Sequence, residues 1–120
     1  MNIQDDRKSV SRLIYKVLTE SLTVREAILN FPKDVNDASL KTAYHALVHL
    51  EADEDLRRRD LLYRQEQDDY LEFIAQTLQK GEVLPYNIIK EYEKYYEGIS
   101  TPHSRSMKGI LKSLCKFLNV

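Results

Sequence analysis

Apolar residues recur at intervals of three and four positions along most of the chain, which is the spacing of an amphipathic α-helix. The first such stripe runs from Ile3 to Leu18. Thr23 and Glu26 then form the pattern of a capping box, which predicts the start of a short second helix. We expect that helix to end at Phe31, because the residue before a proline is driven out of the α region.

The middle of the chain predicts a third helix followed by a long segment without helix breakers. Asn36 or Asp37 can cap the third helix, whose apolar stripe continues to Leu50. Neither glycine nor proline occurs between positions 51 and 80. This segment is therefore either one long helix or two helices with a joint between residues 59 and 66, where the apolar pattern thins.

Glycine and proline mark the remaining helix ends. Gly81 suits the position just after a helix, and Pro85 suits the first turn of the next helix, which Gly98 would end. Thr101 and Pro102 form a cap and first-turn pair for a last helix. No segment alternates with the period of two that a strand requires. The pattern predicts an all-α fold, a compact bundle of five or six helices joined by short loops, in a single domain over residues 1–120.

Composition supports a folded domain that carries no membrane span. The chain has 120 residues, of which 42% are hydrophobic and 31% are charged, enough for one core and a wet surface. A single cysteine, Cys115, leaves no intrachain disulfide to form. The charged residues near the N-terminus interrupt any signal-like apolar run, and no run of apolar residues reaches membrane-spanning length. We expect a cytoplasmic protein.

Charge is distributed unevenly, although the net charge is only −1. Residues 51–100 hold 7 basic and 13 acidic side chains, whereas residues 101–120 hold four basic side chains and no acid. The four basic residues form one stripe of the predicted last helix: Arg105, Lys108, Lys112 and Lys116. Opposite charges in one chain attract each other within a monomer or between two copies. The same stripe can also bind a polyanion such as nucleic acid, which we keep as an alternative.

Three residues spaced by four positions are the weak metal candidates of this sequence. His45, His49 and Asp53 stack along one side of the third helix, and a histidine pair at this spacing can bind zinc, copper or nickel. A helical projection places them opposite the apolar stripe, which predicts a solvated helical face. We therefore predict no metal ion and no cofactor.

Two acidic pairs resemble the carboxylate pattern of the all-α nucleoside-triphosphate pyrophosphatases. Glu51 and Glu54 form the first pair, and Glu66 and Asp69 form the second. In that family, four acids from two antiparallel helices bind Mg²⁺ and so neutralise the polyphosphate. The doubled glutamate that opens the family pattern is missing, because Leu50 precedes Glu51. We therefore assign no family and keep a Mg²⁺-dependent pyrophosphohydrolase as a second alternative.

Tyrosine is concentrated in the helix after Pro85, which carries four of the eight tyrosines: Tyr86, Tyr92, Tyr95 and Tyr96. Such side chains suit either the edge of a core or an interface between proteins, because they are partly apolar and partly polar. Neither a nucleophile with its base nor a glycine-rich phosphate loop is present, so no catalytic residue is assigned. The sequence favours a non-enzymatic interaction or scaffolding module, expected to be a homo-oligomer that uses the tyrosine-rich and basic helices as contact elements.

Overall fold

The computed structural model describes residues 2–33 and 36–97, with side chains up to residue 94. Within these residues it contains six α-helices and no strand, which confirms the all-α bundle. The helices are α1 (Ile3–Leu18), α2 (Val24–Leu29), α3 (Ala38–Ala52), α4 (Glu54–Arg59), α5 (Leu61–Gln79) and α6 (Tyr86–Glu97). The basic helix predicted after Thr101 lies outside the described residues.

Side-chain caps define two of the predicted helix starts. The Thr23 hydroxyl accepts a hydrogen bond from the Glu26 amide at 3.1 Å, and the Glu26 carboxylate accepts one from the Thr23 amide at 3.0 Å. Of the two caps proposed for α3, Asp37 is the one used, since its carboxylate accepts a hydrogen bond from the Leu40 amide at 3.1 Å. Gly81 follows α5 with a left-handed φ of 75°, as its predicted terminal position requires.

The breaker-free segment is not one long helix. The chain leaves the helical path at Asp53, between α3 and α4, and again at Asp60, between α4 and α5. Asp60 has an extended backbone, and its carboxylate caps α5 by accepting a hydrogen bond from the Tyr63 amide at 3.0 Å. Aspartate favours such a local bond over a continued helix, so Asp60 separates α4 from α5 without glycine or proline. The Asp53 side chain makes no such capping bond.

The core is assembled from side chains of α1, α3 and α5, and α1 packs along α5. Val10 and Ile14 of α1 are fully buried, as are Leu47 of α3 and Leu71 and Ile74 of α5. Burial of each such side chain contributes about 1.5–3 kcal/mol to folding. Among the described residues, no helix combines the length and apolar content needed to cross a bilayer.

A buried arginine ties three parts of the fold together. The Arg7 guanidinium of α1 donates hydrogen bonds to both carboxylate oxygens of Asp37, at 2.7 and 3.3 Å, and to the Gly81 carbonyl at 2.9 Å. The Ser39 hydroxyl nearby accepts a hydrogen bond from the Leu84 amide at 2.8 Å. The start of α3 is thereby fixed to α1 and to the connection between α5 and α6.

Candidate functional site

The prediction that His45, His49 and Asp53 lie on a solvated face is wrong, because α6 covers this side of α3. Only 4% of His45 is exposed, and His49 is half-buried. The His45 ring meets the His49 ring at a centroid distance of 4.3 Å and the Tyr92 ring of α6 at 5.3 Å. The helical projection assumed one buried side, whereas α3 contacts other helices on more than one side.

Burial makes both histidines weak bases. Loss of solvent, with a smaller contribution from the neighbouring His49, lowers the pKa of His45 to about 3. Burial also lowers the pKa of His49, although the Asp53 carboxylate acts in the opposite direction. Both imidazoles are therefore neutral at physiological pH.

Asp53 belongs to a polar network at the joint of α3, α4 and α5 rather than to a metal site. Its carboxylate accepts hydrogen bonds from the Tyr63 hydroxyl at 2.5 Å and from the Gln67 amide at 3.4 Å. Arg57 donates to the Gln67 carbonyl oxygen at 2.7 Å and to the Asp68 carboxylate at 2.8 Å. Burial and the nearby Asp53 carboxylate raise the pKa of Tyr63. The network holds the short helix α4 between its neighbours.

The carboxylates that resemble the pyrophosphatase pattern do not assemble into a metal site. Glu51 pairs with Arg25 of α2 at 2.6 Å, and Asp69 is exposed and accepts a hydrogen bond from Gln65. Across residues 2–33 and 36–97, no three histidine, cysteine, aspartate or glutamate side chains are placed to hold a metal ion together. The Mg²⁺ site that the resemblance implies is therefore not formed by these carboxylates.

A groove of about 550 Å³ opens between the connection of α1 to α2 and the junction of α3 with α4. Four apolar side chains contribute to its lining: Val17, Leu22, Val24 and Leu50. Leu50 is buried, whereas the other three are partly accessible. The groove therefore offers an apolar surface that the described part of the chain leaves partly open to solvent.

Carboxylates outnumber basic groups around this groove, which we call the acidic groove. The charged residues that line it are Glu20, Arg25, Glu26, Glu51, Glu54 and Arg57, which give a formal charge of −2. Arg25 is paired with Glu51 and Arg57 with Asp68. The Glu20 side chain is 84% exposed, and its backbone has a left-handed φ of 62°, which is uncommon outside glycine.

The tyrosine-rich helix presents different environments to its tyrosines. Tyr92 faces α3 and is half-buried, as expected for the edge of the core. Tyr86 is 72% exposed, and the Lys90 ammonium lies 5.8 Å from its ring centre. Val83, which precedes α6, is 59% exposed. The side chains of residues 95 and 96 lie outside the described ones, so Tyr86 is the exposed member of the predicted tyrosine cluster that the structure describes. Together with Val83, which the sequence analysis did not single out, it forms what we call the α6 surface.

The predicted basic stripe belongs to the last segment of the sequence. Arg105, Lys108, Lys112 and Lys116 all lie outside the described residues, and their role stays a prediction. The described chain therefore offers the acidic groove and the α6 surface as open surfaces and covers its histidine pair. Leu61 and Leu62 at the start of α5 are also exposed, at 71% and 70%. Comparisons of this chain with protein-family models, with curated proteins and with solved structures gave no match.

Proposed function

We propose that this protein is a non-enzymatic interaction module that associates with a second copy of itself through the α6 surface. The observation that carries the proposal is the exposure of Tyr86, 72% accessible, close in sequence to Val83, 59% accessible. Tyrosine supplies a large, fairly rigid apolar area with a polar end and is enriched among the residues that dominate interface energetics. Covering these side chains would remove apolar surface from water, which favours association.

The bonding of the internal polar groups supports a structural role for them. Arg7 is committed to Asp37, and Asp53 is committed to Tyr63 and Gln67. Each of these bonds connects two different structural elements of the fold. Such groups stabilise a rigid scaffold on which an interaction surface can be displayed.

Sedimentation of the full chain across micromolar concentrations tests the proposal. We expect the average mass to exceed that of a monomer and to rise with concentration. The double substitution Val83→Ser and Tyr86→Ser should weaken association at least about tenfold, which corresponds to about 1.4 kcal/mol. Leu61→Ser is the matched control, because Leu61 is 71% exposed and lies at the start of α5. A wild-type protein that stays monomeric, or equal weakening by both variants, would contradict the proposal.

Nucleic-acid binding is the second candidate, because the four basic residues after position 101 have no acidic residue among them. Neutralising three or four phosphates gives a slope of about −3 to −4 in log affinity against log salt on duplex DNA. Binding with that slope, lost in Lys108→Glu and Lys112→Glu, would favour this candidate over self-association. Binding that does not respond to salt would remove it.

A further inference from the structure

We propose that the acidic groove is the docking site for the chain's own basic C-terminal segment, residues 101–120. This intramolecular contact is distinct from self-association through the α6 surface, and either can exist without the other. Three observations support the contact: the apolar lining of the groove, its charge, and the position at which α6 ends.

The apolar residues of the segment match what a hydrophobic groove binds. Met107, Ile110, Leu111 and Leu114 follow the spacing i, i+3, i+4 and i+7, which places them on one side of a helix. An amphipathic helix with this spacing lays its apolar side into a groove, which is a recurring mode of peptide recognition. The partly open side chains Val17, Leu22 and Val24 provide the matching apolar surface.

The charges of the two partners are complementary. The residues lining the groove carry a formal charge of −2, and the segment carries four basic side chains and no acidic one. Within the lining, Arg25 pairs with Glu51, whereas Arg57 pairs with Asp68, which lies outside the lining. The Arg64 guanidinium lies 3.9 Å from the carboxylate of the exposed Glu20. Lysines entering this rim would meet a negative potential.

The direction of α6 brings the following residues towards the groove. Leu84 bonds to Ser39 near the start of α3, and Tyr92 contacts His45 further along it, so α6 runs parallel to α3. The five residues from Tyr92 to the end of α6 add about 7.5 Å in the direction of the α3 C-terminus. Glu51 and Glu54, which line the groove, lie at that end of α3.

The connecting residues set how far the segment can reach. Fully extended, the seven residues 98–104 span at most about 25 Å. A helix with its side chains is about 10–12 Å across, so the connection is about twice as long as the width of the helix end that it must pass to reach the groove.

Paramagnetic broadening in the full-length protein tests the contact. A nitroxide is attached at residue 119 in a protein carrying Asn119→Cys and Cys115→Ser, so that the introduced cysteine is the only one that can be labelled. We expect the amide signals of residues 20–26 and 50–54 to be lost and to return when the nitroxide is reduced. The amides of Leu84 and Ile88, near the opposite end of α3, should keep their intensity. Full intensity at residues 20–26 would overturn the proposal.

Charge-reversal variants separate docking from chance proximity. Glu20→Lys combined with Glu54→Lys should restore the lost signals, whereas Glu82→Lys, an exposed glutamate outside the groove, should not. The dispersion of the amide spectrum shows whether each variant is folded. Equal effects of both variants, or no effect of either, would refute the electrostatic contact.

Mixing experiments distinguish this contact from exchange between copies. Isotope-labelled protein without nitroxide is mixed with unlabelled protein that carries it, and we expect no loss at residues 20–26. Loss in the mixture would assign the groove to a second copy and overturn the intramolecular proposal. The double variant of Val83 and Tyr86 should keep the intramolecular broadening, so failure of one proposal can be told from failure of the other.

Discussion

Acidification should destabilise this protein through His45. In the folded protein, burial between α3 and α6 lowers its pKa to about 3, whereas an unfolded histidine titrates near 6.5. Between these values the unfolded chain binds more protons than the folded one, so stability falls as the pH falls. His49 on the same helix and Tyr92 on α6 both face His45, and the lowered pKa of His49 acts in the same direction.

The expected loss follows from the two pKa values. At about pH 5, protonation of His45 favours the unfolded state by a factor of about 30 relative to pH 8, which corresponds to about 2 kcal/mol. Domains are stable by about 0.05–0.15 kcal/mol per residue, which is about 6–18 kcal/mol for 120 residues, so the expected loss is a substantial part of the total. The pH dependence should therefore be visible in ordinary equilibrium unfolding.

Urea unfolding followed by far-ultraviolet circular dichroism at several pH values measures this effect. In His45→Leu, the difference in free energy of unfolding between pH 8 and pH 5 should be about 2 kcal/mol smaller than in the wild type. This holds whatever the substitution does to stability at pH 8. Leu61→Ser is the control, because Leu61 is 71% exposed and carries no titratable group, and it should keep the wild-type dependence. Equal pH dependence in wild type and His45→Leu would refute the burial of this imidazole.

Three further substitutions test other features of the fold. Arg7→Met should lower the free energy of unfolding by about 3–5 kcal/mol, because it leaves the mostly buried Asp37 carboxylate uncompensated. Urea titration measures that loss. A change below about 1 kcal/mol, which is the contribution of an exposed ion pair, would contradict the prediction. Tyr63→Phe removes the hydroxyl that donates to Asp53 and should reduce stability by about 1–3 kcal/mol in the same assay, whereas an unchanged midpoint would speak against the network. Glu20→Gly should raise the thermal midpoint, since the left-handed backbone costs a non-glycine residue about 1 kcal/mol, and a lower midpoint would show that the Glu20 side chain stabilises the turn.

Local signals predicted the helix boundaries well where a side chain caps its own helix. The Thr23 and Glu26 capping box and the Asp37 cap depend on residues three positions apart, so the sequence contains all the partners. The same holds for Gly81, which follows the end of α5 and has the left-handed backbone that favours glycine there. Such features need no knowledge of the tertiary structure.

The environment of His45 was not predictable in this way, because it depends on a helix that begins about forty residues later. A projection of α3 alone identifies its most apolar side, but α6 buries a second side that carries His45. The small residues Ala43 and Ala46, which adjoin His45 and are themselves buried, were the available indication that other helices approach α3 closely. The break at Asp53 was missed for a related reason, since its partners Tyr63 and Gln67 lie on another helix.

The bonds made by α1 have a consequence for the order of events during synthesis. Ser11 bonds to the carbonyl of Ala75, 64 positions later, and Arg7 bonds to that of Gly81, 74 positions later. Because α1 is synthesised well before α5, it must wait for the later residues to emerge before its principal partner exists. Until then the apolar stripe of α1 stays exposed to chaperones and to neighbouring nascent chains. The bundle is completed late, when α1 packs against α5.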